Sequence, residues 1–234
     1  MVSQERQPTV DKIIGIYGAG GHGRGVMEVL KEQVLEVKGG DNTKLVFVET
    51  HPTKELVNGV ELISEKDFFS LESNEKYFNV AIADPNARQQ IADRCINQGA
   101  KSLEVRSNQA KIFDLNTIGE GAIFSPFSVV TVNTKIGRFF HGNIHSCIEH
   151  DSVIGDFVTF SPGSHCNGNV NIGNKVFVGA GAYLINGSSE KALSIGEGAI
   201  IGMGSVVIHD VEPFTTVVGV PAKEIRSKNS DPIR

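Results

Sequence analysis

The chain has 234 residues, enough for two compact domains, and a formal net charge of −5. It has no basic block, which argues against nucleic acid as a partner, because nucleic-acid-binding domains concentrate Lys and Arg on one face. No stretch approaches the roughly eighteen apolar residues of a membrane span, and residues 1–10 lack the apolar core of a signal peptide. Cys95, Cys147 and Cys166 show neither disulfide-framework nor metal-site spacing, as in proteins of a reducing compartment. We therefore expect a cytoplasmic protein that binds neither nucleic acid nor membranes.

The first predicted element is a short buried strand over residues 12–17. It runs into Gly18-Ala19-Gly20-Gly21-His22-Gly23 and then into a helical pattern. In this strand–turn–helix context GxGxxG indicates a phosphate-binding turn: Gly18 permits the tight bend, Gly20 lets a ligand approach the backbone, and free amides at the helix start attract anions. A second strand over residues 45–48 ends at Glu49, where a carboxylate can accept a hydrogen bond from a ribose hydroxyl.

A third strand, over residues 78–82, leads to Ala83 and Asp84, and helices over residues 66–71 and 87–97 complete an α/β unit that ends near Val105. This unit is roughly one mononucleotide-binding half, whereas NAD needs two. The sequence therefore predicts a site for one nucleotide attached to another group, with a nucleotide-sugar as the favoured ligand. The alternative is that the glycines serve only helix packing.

After residue 108 an apolar residue recurs at every sixth position from 112 to 184, except at Gly142. A phase slip at residues 186–194 interrupts the period, which resumes at Ile195. Six residues are too few for a helical repeat, so each unit is a short strand plus a bend, and three units make one coil of a parallel β-helix. We predict a Rossmann-like α/β domain in residues 1–108 and a β-helix in residues 109–234, with the slip forming a protruding loop.

Ionisable residues concentrate between residues 142 and 151. His150 follows the inward position Ile148 by two residues, so it faces out of the coil near a corner, and Asp151 is placed to orient its imidazole. This pairing indicates a general base, with a solvated turn histidine as the alternative. A zinc site built on His145 and His150 would need a third histidine about two coils earlier, and none lies between residues 51 and 141, so we expect no metal.

Several segments together resemble the NeuD/PglD-like sugar O/N-acyltransferases, which are hexapeptide-repeat enzymes. They are residues 18–23, 148–155, 161–163, 168–173 and 218–223, and the resemblance extends from residue 12 to about residue 226. It implies a left-handed β-helix and an acetyl-CoA-dependent N-acetyltransferase. The implied acceptor is the amino group of a nucleotide-linked 4-amino-4,6-dideoxy sugar, such as a UDP-4-amino sugar, in surface-glycan biosynthesis. A sialic-acid-type sugar O-acetyltransferase and a non-catalytic nucleotide-sugar-binding scaffold remain alternatives.

The same resemblance assigns roles to individual residues. It implies His150 as the catalytic base and Asp151 as its acidic neighbour. The implied substrate-binding residues are Gly20, Gly21, His22, Glu49, Thr50, Ala83, Asp84 and Asn143, and the implied acyl-CoA contacts are Thr159, Gly168 and Ala180. Two positions depart from the family pattern: Thr159 stands where many relatives have His, and Thr50 where many have a second acid. A homotrimer with acetyl-CoA in the clefts between subunits is expected, because coil faces and edges need cover.

Overall fold

The computed structural model describes residues 10–36 and 42–225. Residues 1–9, most of the polar amino-terminal segment considered above, lie outside the described residues, as does the end of the chain from residue 226. The chain divides into two compact units, Met1–Glu104 and Val105–Arg234. Within the described ranges no helix is long and apolar enough to cross a membrane.

The first unit is an α/β fold around one sheet. Its elements are β1 (Lys12–Tyr17), α1 (Gly21–Glu36), β2 (Thr43–Glu49), β3 (Leu56–Val57), β4 (Val60–Ser64), α2 (Glu65–Ser70), β5 (Glu75–Val80), α3 (Pro85–Asn97) and β6 (Lys101–Ser102). The strand order is β3-β4-β2-β1-β5-β6, and all pairs are parallel except β3 with β4. Because β1 lies between β2 and β5, the turn after β1 lies beside the carboxyl ends of both neighbours. Open α/β sheets bind ligands at this edge.

The chain-order prediction is confirmed for the main strands and helices of this unit, with differences at their ends. The predicted third strand ends at Val80 rather than at residue 82, because the chain turns there into the cap of α3. Asp84 accepts a hydrogen bond from the N–H of Ala87 at 2.7 Å, and Pro85 stands in the first turn. Strands β3 and β6 were not predicted because they have only two residues each and carry no periodic signal, and the five-residue β4 was missed as well.

The second unit is a parallel β-helix with three sheets. Sheet I contains β7 (Val105–Arg106), β10 (Ile123–Phe124), β13 (His141–Gly142), β16 (Thr159–Phe160), β19 (Phe177–Val178), β22 (Ile200–Ile201), β24 (Thr216–Val218) and β25 (Lys223–Glu224). Sheet II contains β8 (Lys111–Ile112), β11 (Val129–Val130), β14 (Cys147–Ile148), β17 (His165–Cys166), β20 (Tyr183–Leu184) and β23 (Val206–Val207). Sheet III contains β9 (Thr117–Ile118), β12 (Lys135–Ile136), β15 (Val153–Ile154), β18 (Val170–Ile172) and β21 (Leu193–Ile195).

The strand register confirms the predicted six-residue period. Along sheet II, Cys147 pairs with His165, and along sheet I, Thr159 pairs with Phe177, so neighbouring coils are offset by 18 residues. The second residue of most of these strands points inward, and from Phe124 onward these positions are buried. Burying each such aliphatic or aromatic side chain stabilises the coil by about 1.5–3 kcal/mol. The phase slip forms a loop between β20 and β21, as predicted.

Candidate active site

The corner between sheets II and III carries the ionisable residues singled out in the sequence. The inward Ile148 ends β14, and β15 begins at Val153, so His150 and Asp151 form the bend between them. Asp151 has φ +58°, a left-handed conformation that Asn and Asp adopt more readily than most residues. The side chains of His150 and Asp151 are 55% and 56% exposed, so both reach the solvent.

The two side chains of this bend are hydrogen-bonded to each other. His150 Nδ1 lies 2.9 Å from Asp151 Oδ2. Hydrogen bonds from His150 and from Asn133 lower the pKa of Asp151, so its carboxylate is ionised and can only accept. Nδ1 therefore donates, and in the neutral imidazole Nε2 keeps its lone pair. This is the arrangement of a general base whose orientation is fixed by a carboxylate.

Gly168 lies one coil beyond His150, at the same place in the repeat. A Cβ at residue 168 would lie 2.4 Å from Cε1 and 2.5 Å from Nε2 of the imidazole, so the ring packs against a backbone that only glycine provides. The N–H of Gly168 donates to no acceptor within the described part of the chain. A backbone donor beside the base is therefore available to a negatively charged oxygen.

A cleft of about 630 Å³ opens beside this base. The corner residues of two coils line it, and so does the loop formed by the phase slip, through Asn186, Gly187, Ser188 and Ser189. The loop is tied to the coil, since Asn169 Nδ2 donates to the carbonyl of Ser188 at 2.7 Å. The N–H of Gly187 also donates to the carbonyl of Gly168 at 3.0 Å. The predicted loop thus forms one wall of a cleft that contains His150.

The two cysteines near this corner are poor nucleophiles. Cys166 is fully buried, and burial raises the pKa of its thiol to about 12. Burial, with a smaller effect of Glu149, also raises the pKa of Cys147. Both therefore remain protonated near neutral pH, and a covalent acyl-cysteine is disfavoured.

The glycine-rich turn of the first unit has the geometry of a ligand-binding loop. Gly18 has φ +97°, and a Cβ on Gly23 would lie 1.8 Å from the carbonyl oxygen of Gly18, so helix and turn meet closely. A Cβ on Gly20 or on Gly21 would meet nothing within 4 Å, so space remains in front of both residues. The N–H of Ala19 donates to Glu49 Oε1 at 3.2 Å, which brings the predicted acid against this turn.

His22 lies in the first turn of α1 and is close enough to the buried Arg88 for its charge to act on the imidazole. Burial, with a smaller contribution from the charge of Arg88, lowers the pKa of His22 to about 4, so this imidazole is neutral at physiological pH. Arg88 is completely buried, and its Nη1 donates to the carbonyl of Ile82 at 3.0 Å. Sequence reasoning gave Arg88 no role, although it lies four residues before the buried Ala92 and therefore on the buried face of α3.

The remaining predicted residues are not all brought together. Thr50 and Ala83 are exposed after the carboxyl ends of β2 and β5, and Asp84 caps α3 as described above. Asn143 and Ala180 lie at the corner between sheets I and II, one corner away from His150. Thr159 begins β16 in sheet I and is only 5% exposed. Within the described chain Thr159, Gly168 and Ala180 do not form one surface, so their assignment to an acyl-CoA groove stays a prediction.

The zinc alternative finds no support in this geometry. His145 lies in the bend between sheets I and II, where it stacks on Phe127 with ring centroids 4.9 Å apart. His150 lies at the next corner, between sheets II and III. His165 stacks on Tyr183 on the outside of sheet II. Among residues 10–36 and 42–225, no group of three or more His, Cys, Asp or Glu side chains is arranged to hold a metal ion.

A parallel β-helix with an oriented imidazole, a backbone N–H beside it and a loop-walled cleft defines a hexapeptide-repeat acyltransferase. Comparison with known proteins agrees. Residues 13–95 match the family described as the PglD N-terminal domain. Over 214 residues the chain is 42% identical to GDP-perosamine N-acetyltransferase of Escherichia coli O157:H7, a match that covers 92% of this chain and 96% of that protein.

Two solved structures extend the comparison. WeeI from Acinetobacter baumannii AYE is 40% identical with a TM-score of 0.86, covering 92% of this chain and 100% of that chain. The acetyltransferase domain of PglB from Neisseria gonorrhoeae FA1090, in complex with acetyl coenzyme A, is 27% identical with a TM-score of 0.82 over the same shares of the two chains.

The chain therefore belongs to the NeuD/PglD-like family of sugar O/N-acyltransferases, and its coils form the left-handed β-helix of that family. The expected enzyme class, an acetyl-CoA-dependent sugar N-acetyltransferase, is confirmed by the same comparisons.

Proposed function

We propose that this enzyme transfers the acetyl group of acetyl-CoA to the amino group of a nucleotide-linked 4-amino-4,6-dideoxy sugar, for use in surface-glycan biosynthesis. The observation that carries the proposal is the His150–Asp151 pair, joined at 2.9 Å beside the cleft. The relative with 42% identity over nearly the whole chain is named for GDP-perosamine. We therefore favour a GDP-linked amino sugar over the UDP-linked sugar expected from the sequence.

The residues of the corner support direct attack by the amine on the thioester. His150 Nε2 takes a proton from the amine as its nitrogen bonds to the thioester carbonyl carbon, and Asp151 stabilises the imidazolium that forms. The N–H of Gly168 donates to the oxyanion of the tetrahedral intermediate. Collapse of the intermediate breaks the carbon–sulfur bond, and the imidazolium returns its proton to the departing thiolate. No acyl-enzyme is formed, which is consistent with the buried thiol of Cys166.

The first unit supports recognition of the nucleotide. The open space in front of Gly20 and Gly21 and the amides at the start of α1 suit a diphosphate. The imidazole of His22 is neutral because its pKa is lowered, so it would contribute hydrogen bonding rather than charge to the site. Oε1 of Glu49 accepts a hydrogen bond from the N–H of Ala19 in the turn. Oε2 is proposed to accept a hydrogen bond from the ribose. Thr50, Ala83 and Asp84 are proposed to line the same edge.

A homotrimer is part of the proposal, since the corner between sheets I and II exposes apolar residues. Phe127, Ile144 and Met203 are 49%, 47% and 74% exposed there, a pattern typical of an interaction surface. Asn143 and Ala180 lie on this corner as well. Packing it against a neighbouring chain would bring both residues toward that chain's His150 cleft, where they would contact sugar and CoA. Light scattering should give about three times the chain mass of 25.2 kDa.

The test is thiol release from acetyl-CoA with GDP-, UDP- and dTDP-linked 4-amino-4,6-dideoxy sugars, and with a sialic acid as hydroxyl acceptor. We expect turnover with a GDP-linked amine and an amide in the product by mass spectrometry and NMR. Turnover with the UDP- or dTDP-linked amine alone would refute the nucleotide preference and leave the reaction intact. Reaction with the hydroxyl acceptor and no amine would overturn the N-acetyltransferase proposal in favour of the O-acetyltransferase alternative.

A further inference from the structure

A third side chain contacts the His150–Asp151 pair. Asn133 lies one coil before Asp151 at the same corner, offset by 18 residues, as the register of β12 with β15 requires. Its Nδ2 donates to Asp151 Oδ1 at 3.2 Å, while Asp151 Oδ2 faces His150 Nδ1 at 2.9 Å. The two carboxylate oxygens are therefore used by two different donors, one from each side.

We propose that Asn133 is a positioning residue for the catalytic base, an inference that rests on the proposed function of His150. The amide of Asn133 fixes the rotation of the Asp151 carboxylate, so that Oδ2 stays directed at Nδ1 of the imidazole. This in turn holds the proton on Nδ1 and leaves Nε2 as the basic nitrogen. Within the described part of the chain, the exposed Asp151 carboxylate accepts side-chain hydrogen bonds from these two residues alone.

The competing explanation is that Asn133 is present only for its backbone, which has φ +58°. The neighbouring coils hold Asn169, at φ +58°, as well as one residue that argues against this explanation. The same corner position is occupied by Leu115 one coil earlier, also at a positive φ of 66°. The bend therefore accepts a residue without a carboxamide, and the conformation by itself does not account for Asn at position 133.

Two substitutions separate the side chain from the backbone. Asn133→Gly removes the donor and keeps access to the left-handed conformation. Asn133→Asp keeps the shape and replaces the donor with a second carboxylate facing Asp151. The matched control is Asn58→Gly, because Asn58 also has a positive φ, of 49°, in the turn between β3 and β4 of the first unit.

The kinetics are measured first. The values of kcat and KM are compared only among variants whose thermal midpoints match that of the wild type. We expect Asn133→Gly to lower kcat roughly tenfold, the loss of one hydrogen bond to a charged group, with KM for acetyl-CoA and for the amino sugar unchanged. Asn133→Asp should lower kcat further, because two like charges then face each other. Asn58→Gly should match the wild type.

The second readout is the long-range ¹H–¹⁵N spectrum of protein labelled at histidine, with the His150 signals identified by their loss in His150→Gln. The wild type should show Nδ1 protonated and Nε2 unprotonated in the neutral ring, and Asn133→Gly should show a mixture of both tautomers. This readout needs no turnover, so it remains decisive if the proposed reaction fails. The proposal would be overturned if both Asn133 variants kept the wild-type tautomer and the wild-type kcat. It would also be overturned if Asn58→Gly lost as much kcat as Asn133→Gly.

Discussion

Replacing Gly168 by Ala tests whether the imidazole depends on the missing side chain of the next coil. The new Cβ would lie 2.4 Å from Cε1 and 2.5 Å from Nε2 of His150. Ordinary carbon contacts are about 3.5 Å, so the ring must retreat by about 1 Å. A displacement of this size at a reacting group lowers the rate by about 100-fold. Because the His150 side chain is 55% exposed, it can rotate into solvent, and the thermal midpoint should change little.

The assay is thiol release at saturating substrates for the wild type, Gly168→Ala, His150→Ala and the double variant. The Gly168→Ala substitution keeps the backbone N–H at this position, so it leaves the oxyanion donor in place and perturbs only the ring. It should therefore lower kcat in the wild-type background and have no further effect when His150 has already been replaced. Independent, additive losses in the double variant, or wild-type kcat in Gly168→Ala, would refute the packing argument.

Two further predictions concern the acid stability of the first unit and the loop of the β-helix. The folded-state pKa of His22 is lowered to about 4, so the unfolded chain binds more protons between about pH 6.5 and pH 4, and stability falls as pH falls through that window. His22→Gln should abolish a loss of about 3 kcal/mol across it, measured by urea unfolding at pH 7 and pH 4; an unchanged pH dependence would contradict the assignment. Lys191 contacts Asp210 at 2.5 Å and anchors the loop, but the pair is exposed. Lys191→Met should therefore raise KM for acetyl-CoA by up to about fivefold at constant kcat, whereas a fall in kcat with unchanged KM would show that the loop acts otherwise.

The β-helix could be predicted in detail from the sequence because its signal is periodic. Inward positions such as Ile148 and Ile154 recur at a spacing that no other local structure produces. Three such units make one coil, so the period also implies that residues 18 apart are neighbours. The stacking of His150 against Gly168 follows from this offset, as does the approach of Asn133 to Asp151, although neither contact was drawn from the sequence.

The first unit was less predictable in its details. Residues 12–17 have a clear pattern, but the edge strand β3 is only two residues long and leaves no periodic trace. The buried charge of Arg88 was missed because Arg is normally exposed, although the spacing of α3 places it inward. In our proposal the contacts of Asn143 and Ala180 depend on surfaces of more than one chain. No periodicity within a single sequence reports such surfaces.

The most direct test of the central claim is the comparison of wild type with His150→Asn on a GDP-linked 4-amino-4,6-dideoxy sugar. Asn keeps a polar side chain at the corner and removes the base. We predict that kcat falls by at least about 100-fold, the usual contribution of a general base. The dissociation constant for CoA, measured by calorimetry, should stay unchanged. A variant that acetylates the amine at the wild-type rate would contradict the assignment of His150 as the base.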